Sequence, residues 1–228
     1  MSTALHAEWT KLRTVASPWW LLVAMIAATV ALSAGGSSVV SCEPAGCDVT
    51  KYGLIGVKLG QALVAVLAVL VISSEYSSGM IRTSLTAVPR RATVFAAKAV
   101  TLTGVVAVAG TIAVLGSLLA GRLILPRQAY GHPSASLLRA TASSVLYLIL
   151  IALLSLGVAV VVREAATSIG MILGLLYLPP ILTQAIGNPR WQELVQQVAP
   201  TSGGLGVTAG WASAAVVSGV LLLRARDV

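Results

Sequence analysis

Six stretches of this chain are too apolar and too long to belong to a soluble fold. They run over Pro18–Ala34, Leu54–Ser74, Ala99–Gly121, Leu138–Val162, Ser168–Gly187 and Val207–Leu223. A helix needs about 20 consecutive apolar residues to cross the hydrocarbon layer. Charges are also too scarce to cover a soluble domain. The chain is 57% hydrophobic and 10% charged, where an ordinary soluble domain has roughly a quarter of its residues charged. The fold class is therefore all-α and integral to a membrane, with residues 1–228 forming a single transmembrane domain of six spans.

The formal charge of +8 would suggest nucleic acid in a soluble protein. Here the basic residues flank apolar runs, where they set topology against lipid headgroups, and no basic stretch is interleaved with aromatics. The first run follows Lys11 and Arg13 as a secretory signal would, and Val39–Cys42 resembles a lipoprotein cleavage box. Gly35-Gly36-Ser37-Ser38 separates that box from the run, and five more spans follow, so we expect no cleavage.

Six spans put both termini on one side. A cytoplasmic placement leaves Lys11, Arg13, Arg82, Arg90, Arg91, Lys98, Arg163, Arg224 and Arg226 inside, with Lys51, Lys58, Arg122, Arg127, Arg139 and Arg190 outside. The excess of basic residues is then inside, in the expected sense. Cys42 and Cys47, the only two cysteines, fall in the first outer loop. A disulfide persists in an oxidising compartment, and Pro44 and Gly46 favour the turn it requires. Its short loop makes it a device for shaping the loop rather than for holding the fold. A metal is not expected there, because two thiolates without a nearby histidine are too few ligands.

The N-terminal residues 1–17 read as an interfacial helix, since Leu5, Trp9, Leu12, Ala16 and Trp19 form one apolar stripe with Glu8, Lys11 and Arg13 away from it. Between the second and third spans lies the most polar island of the chain, Ser73–Lys98. Ile81, Leu85 and Val88 share one helical face there, and Arg82, Thr86 and Arg90 another. Pro89 excludes Val88 from helical geometry. The pattern predicts a short surface helix, a turn at Pro89-Arg90-Arg91, and the third span starting near Lys98. Another short helix, in the outer leaflet before the last span, is predicted from Trp191, Leu194, Val195 and Val198. Pro179-Pro180 must disturb backbone bonding within the fifth span.

The predicted spans hold no Asp, Glu, Lys, Arg or His in their interiors; Lys58 and Arg139 sit near span ends. That argues against a proton-coupled carrier, which places ionisable residues in the membrane. His6 and His132 would lie on opposite sides, and there is no HExxH, GxSxG or phosphate-binding GxxxxGK[ST] motif. The chain is not expected to be an enzyme, and any pumping must be powered by another polypeptide.

Ala7–Thr14 (AEWTKLRT) and Glu75–Lys98 (EYSSGMIRTSLTAVPRRATVFAAK) resemble the permeases of ABC-2 type transporters of high-GC bacteria. The resemblance implies a bacterial plasma-membrane exporter subunit with cytoplasmic termini. It carries no cofactor itself; ATP and magnesium belong to a dimer of separate ATPase subunits. It also implies a coupling helix in the loop after the second span, formed here by Glu75, Tyr76, Gly79, Ile81, Arg82, Leu85, Val88, Pro89, Arg90 and Arg91. A second permease copy, the same chain or a paralogue, completes the pathway. Thr101, Thr103, Thr111, Ser117, Ser143 and Ser144 are candidate pathway-lining hydroxyls, and the scarcity of fixed charge favours a drug, peptide or lipid as cargo. Gly104, Gly110 and Gly116 would allow close helix approach, between or within subunits. The competing class is a non-transporting membrane scaffold or sensor-associated subunit, which would neither bind an ATPase nor stimulate one.

Overall fold

The computed structural model describes residue 10 and residues 16–39, 56–77, 91–124, 134–185, 189–202 and 204–225. These form helices α1 (Ala16–Val39), α2 (Val57–Ser77), α3 (Arg91–Ile124), α4 (Ser134–Val162), α5 (Ala165–Ala185), α6 (Pro189–Val198) and α7 (Gly204–Ala225). All but α6 are long and apolar enough to cross a membrane, and the described residues contain no strand. The six-span expectation holds. The short helix before the last span is present as α6, whereas the predicted interfacial helix falls almost wholly outside the described residues.

Two boundaries differ from expectation for physical reasons. Helix α1 does not stop at Ala34 but runs through the Gly-Gly-Ser-Ser stretch to Val39. There Ser37 donates to the Ser33 carbonyl at 2.7 Å and Ser38 to the Gly35 carbonyl at 2.8 Å, so both hydroxyls are satisfied within the helix. Helix α3 begins at Arg91, well before the expected start near Lys98. Nothing after Pro89 breaks helical bonding, so the helix runs beyond the apolar slab that hydropathy detects. Its 34 residues would extend about 51 Å, well over the roughly 30 Å hydrocarbon thickness. Lys98 lies inside the apolar stretch Thr93–Ile124 and is 3% exposed.

Helix α4 is the central post. It packs against α7, α2, α3 and α5, and Leu148, Ile151, Leu154, Leu156 and Val160 along it are fully buried. The tightest crossing is with α7, where a Cβ at Gly157 would stand 2.5 Å from the Ala215 carbonyl carbon. Only glycine allows the backbones that close, the usual way helices meet in a membrane. On the other flank, α1 packs on α2 and α3 through a polar seam. Thr29, Ser33 and Ser37 are buried at successive turns. Ser33 Oγ accepts from Gly56 N–H at 3.2 Å and the Thr29 carbonyl accepts from Ser117 Oγ at 3.4 Å. A Cβ at Gly56 would fall 2.0 Å from the Thr29 carbonyl oxygen. Of the small residues singled out on α3, Gly116 meets Val30 and Gly110 meets Leu148 within this subunit, while a Cβ at Gly104 would meet nothing within 4 Å.

Helices α5 and α7 are the least enclosed spans, with 17% of each apolar window buried. Helix α7 leans on α4 and α5 on both α2 and α4, and the two scarcely meet each other. That gap creates the site.

Candidate functional site

Between α5 and α7, over a floor of α4, lies an apolar cavity of about 1170 Å³. Leu154 and Val158 of α4 form the floor; Gly170, Met171, Gly174 and Leu178 of α5 form one wall, and Trp211, Ala214 and Ala215 of α7 the other. No ionisable side chain among the described residues lines it. It runs along α5 from Thr167 to Leu182, about 22 Å at helical rise, most of the thickness of a hydrocarbon layer. A second cavity of about 330 Å³ continues it beneath α6, lined by Leu194, Val195 and Val198 and sharing Leu175, Pro179 and Trp211. The amphipathic stripe of α6 is thus spent partly on roofing the groove. Trp211 anchors that roof, donating from Nε1 to the Val198 carbonyl at 2.9 Å.

The wall at α5 has an unusual backbone. The helix runs on through Pro179 and Pro180, which have no N–H to offer the carbonyls one turn earlier. Those carbonyls belong to Leu175 and Leu176, and Leu175 itself lines the groove.

A partly polar cavity of about 240 Å³ lies on the other side of the Pro200 turn, toward the first turns of α2, α4 and α7. Ser143, Ser144, Tyr147, Thr201 and Thr208 line it. Thr208 Oγ1 lies 2.6 Å from the Pro200 carbonyl and 2.9 Å from that of Gly204. Thr201 Oγ1 is buried without a hydrogen-bond partner among the described residues, which costs about 1–3 kcal/mol unless a guest satisfies it. Tyr147 donates to Gln61 Oε1 at 2.5 Å, and Tyr177 donates to the Lys58 carbonyl. These two phenols tie α4 and α5 to the first turns of α2.

The polar reading of the hydroxyls divides accordingly. Ser143 and Ser144 are brought together at this cavity. Thr101, Thr103, Thr111 and Ser117 lie on α3 and line neither the groove nor the polar cavity. Thr101 and Thr111 donate back to their own helix, at Ala97 and Ala107, and Ser117 is fully buried against α1.

The chain matches the family model described as ABC-2 family transporter protein over residues 4–179. It belongs to that family. This ABC-2 protein is a multi-pass membrane component of an ABC transporter, and its family membership implies an ABC ATPase subunit as partner. No curated protein sequence matches the chain.

In this ABC-2 permease Glu75 and Tyr76 form the last turn of α2 and Arg91 the first residue of α3. Gly79, Ile81, Arg82, Leu85, Val88, Pro89 and Arg90 lie outside the described residues, as do Cys42 and Cys47. At the same end of the bundle, Arg163 and Glu164 alone join α4 to α5. Arg163 has φ 64°, a left-handed conformation that costs a non-glycine residue about 1–2 kcal/mol. Glu164 caps α5, accepting from Ala166 N–H at 3.0 Å and Thr167 N–H at 2.5 Å.

The Thr167 hydroxyl first, and then the two backbone N–H groups, hold the Glu164 carboxyl below its ordinary value of 4.5. A lowered folded-state value means stabilisation that is present above 4.5 and lost as pH falls through the lower value. Thermal stability of the wild type should therefore decline as pH is taken below 4.5, and Glu164→Gln should flatten that decline. Equal acid sensitivity of the two proteins would remove the cap from the account.

Sequence reasoning missed the groove and the phenol ties. The Gly170/Gly174 and Ala215/Gly219 pairs, each four residues apart on one helix face, were the available signal. They could not say whether their helices would close together or leave a gap.

Proposed function

We propose that the chain is the permease of a bacterial exporter, working as two copies, with a dimer of separate ATPase subunits hydrolysing magnesium-bound ATP. In this reading it moves a hydrophobic or amphipathic molecule out of the cell. The observation that carries the cargo class is the uncharged groove along α5 and α7. An apolar ligand taken up from water gains about 25 cal/mol for each Å² it buries there, whereas an ion would enter without any compensating charge. The hydroxyl-lined cavity beside it suits the neutral polar end of an amphipathic cargo.

Force arrives, in this reading, at Tyr76–Arg91. The Ile81/Leu85/Val88 face packs on the ATPase, and Arg82 and Arg90 pair with its acidic groups. Co-reconstituted with its ATPase, the chain should give hydrolysis that rises with hydrophobic compounds and not with small charged solutes. Arg82→Glu and Leu85→Asp should each weaken assembly, the charge reversal by about 2–5 kcal/mol. Unchanged assembly and stimulation in both variants would refute the docking assignment.

The topology and the outer disulfide are tested together. Cys42 and Cys47 should resist a membrane-impermeant thiol reagent on intact cells until a reductant is added. Labelling without reductant argues against the bond, and labelling only after permeabilisation argues against the topology.

A further inference from the structure

Helix α5 is fastened to α2 near both ends. Toward one end Tyr177 donates to the Lys58 carbonyl. At the other, the Arg163 guanidinium carbon lies 5.6 Å from the centre of the Tyr76 ring, within the ~6 Å over which a cation is attracted to an aromatic face. Tyr76 belongs to the last turn of α2, from which the chain runs directly into the segment assigned to the ATPase.

Arg163 is an odd choice for this place. A left-handed residue in a two-residue joint is where glycine would be free of strain, yet an arginine occupies it at φ 64°. The neighbouring carboxylate does not explain it, since Glu164 is engaged with the first turn of α5. Arg163 Nε is buried and makes no hydrogen bond among the described residues. Among the described residues, this side chain lies over the Tyr76 ring. A displacement of Arg163 must also move Glu164, the cap of α5, because no other residue lies between the helices. Helix α5 has room to shift on its groove side, since it is among the least enclosed spans and borders an open groove rather than α7.

We propose that Arg163 is a positioning residue of the transport cycle, carrying displacement of the α2 end through its stack on Tyr76 into α5 and so setting the width of the α5/α7 groove. The inference rests on the transporter reading above.

The test uses the full chain co-reconstituted with its ATPase in nanodiscs. Arg163→Gly keeps the left-handed turn and removes the cation, and Tyr76→Leu removes the aromatic face. Arg163→Lys and Tyr76→Phe keep the cation and the ring respectively. Arg163→Gly and Tyr76→Leu should each lower substrate stimulation of ATP hydrolysis by about 2- to 30-fold, the range a cation–π contact spans from exposed to desolvated sites. The double variant should be no worse than the more affected single one, and the conservative variants should retain most of the stimulation. ATPase assembly and the thermal midpoint of Arg163→Gly should match or exceed those of the wild type, because the turn loses its strain. Stimulation at the wild-type level in both disruptive variants overturns the inference and leaves the transporter reading standing. A parallel fall in thermal midpoint or assembly in Arg163→Gly overturns it too, by making the contact merely structural. If the wild type itself shows no stimulation by any hydrophobic compound, the transporter reading falls and takes the inference with it.

Discussion

Gly157→Val is expected to abolish recovery of folded protein. A Cβ at this position would lie 2.5 Å from the carbonyl carbon of Ala215 and 2.6 Å from its oxygen, where 3.4 Å begins ordinary contact. The obstacle is backbone, so no rotamer change relieves it. The helices must part by about an ångström, and such a gap forfeits a quarter to a half of each dispersion contact along the seam. That seam joins the central post to the last span, and it is the most extensive helix–helix contact in the subunit. Overpacking a well-filled core costs about 1–3 kcal/mol and more where nothing can yield. Even Gly157→Ala should lower the thermal midpoint in detergent. A monodisperse Gly157→Val protein with an unchanged midpoint would show that α4 and α7 are not held at this distance.

Gly170→Phe should have the opposite profile, with the protein folded and transport lost. A Cβ at Gly170 meets nothing within 4 Å, and the residue lies on the groove wall. A benzyl group therefore enters the cavity without displacing the bundle. It removes from the cargo apolar contacts worth about 1.5–3 kcal/mol, so apparent affinity should weaken roughly 10- to 100-fold. Assembly with the ATPase should be untouched, because the added ring enters the groove, which Tyr76 does not line. Binding measured by equilibrium dialysis of a hydrophobic cargo separates the two possibilities. Retained affinity in Gly170→Phe would move the pathway out of this groove.

Particular elements show how far sequence reading reaches. The six spans were legible because the transfer of some twenty apolar residues out of water dominates every competing local preference. Helix α6 was legible for a related reason, its apolar side chains recurring at the period of a helix. Gly35-Gly36-Ser37-Ser38 misled, since glycine and serine are weak helix formers in water, while serine hydroxyls in a membrane bond back to the carbonyls of their own helix. Lys98 misled in another way. A charge at the edge of an apolar run reads as the start of the helix, yet the helix begins seven residues earlier, at Arg91, and the side chain is buried.

What the sequence determined by itself is the class of molecule: an all-helical membrane protein, with the two segments that resemble ABC-2 permeases. These follow from burial energy and from short contiguous patterns, both written locally along the chain. The groove, the polar cavity and the Arg163–Tyr76 stack were decided by tertiary structure alone. Each depends on where helices distant in sequence come to rest, and apolar surface in lipid is almost indifferent to that choice. Gly157 lets α7 come close to α4, while α5 is held toward α2 by Lys58, Tyr177, Tyr76 and Arg163. The gap between α5 and α7 is the difference between those two attachments.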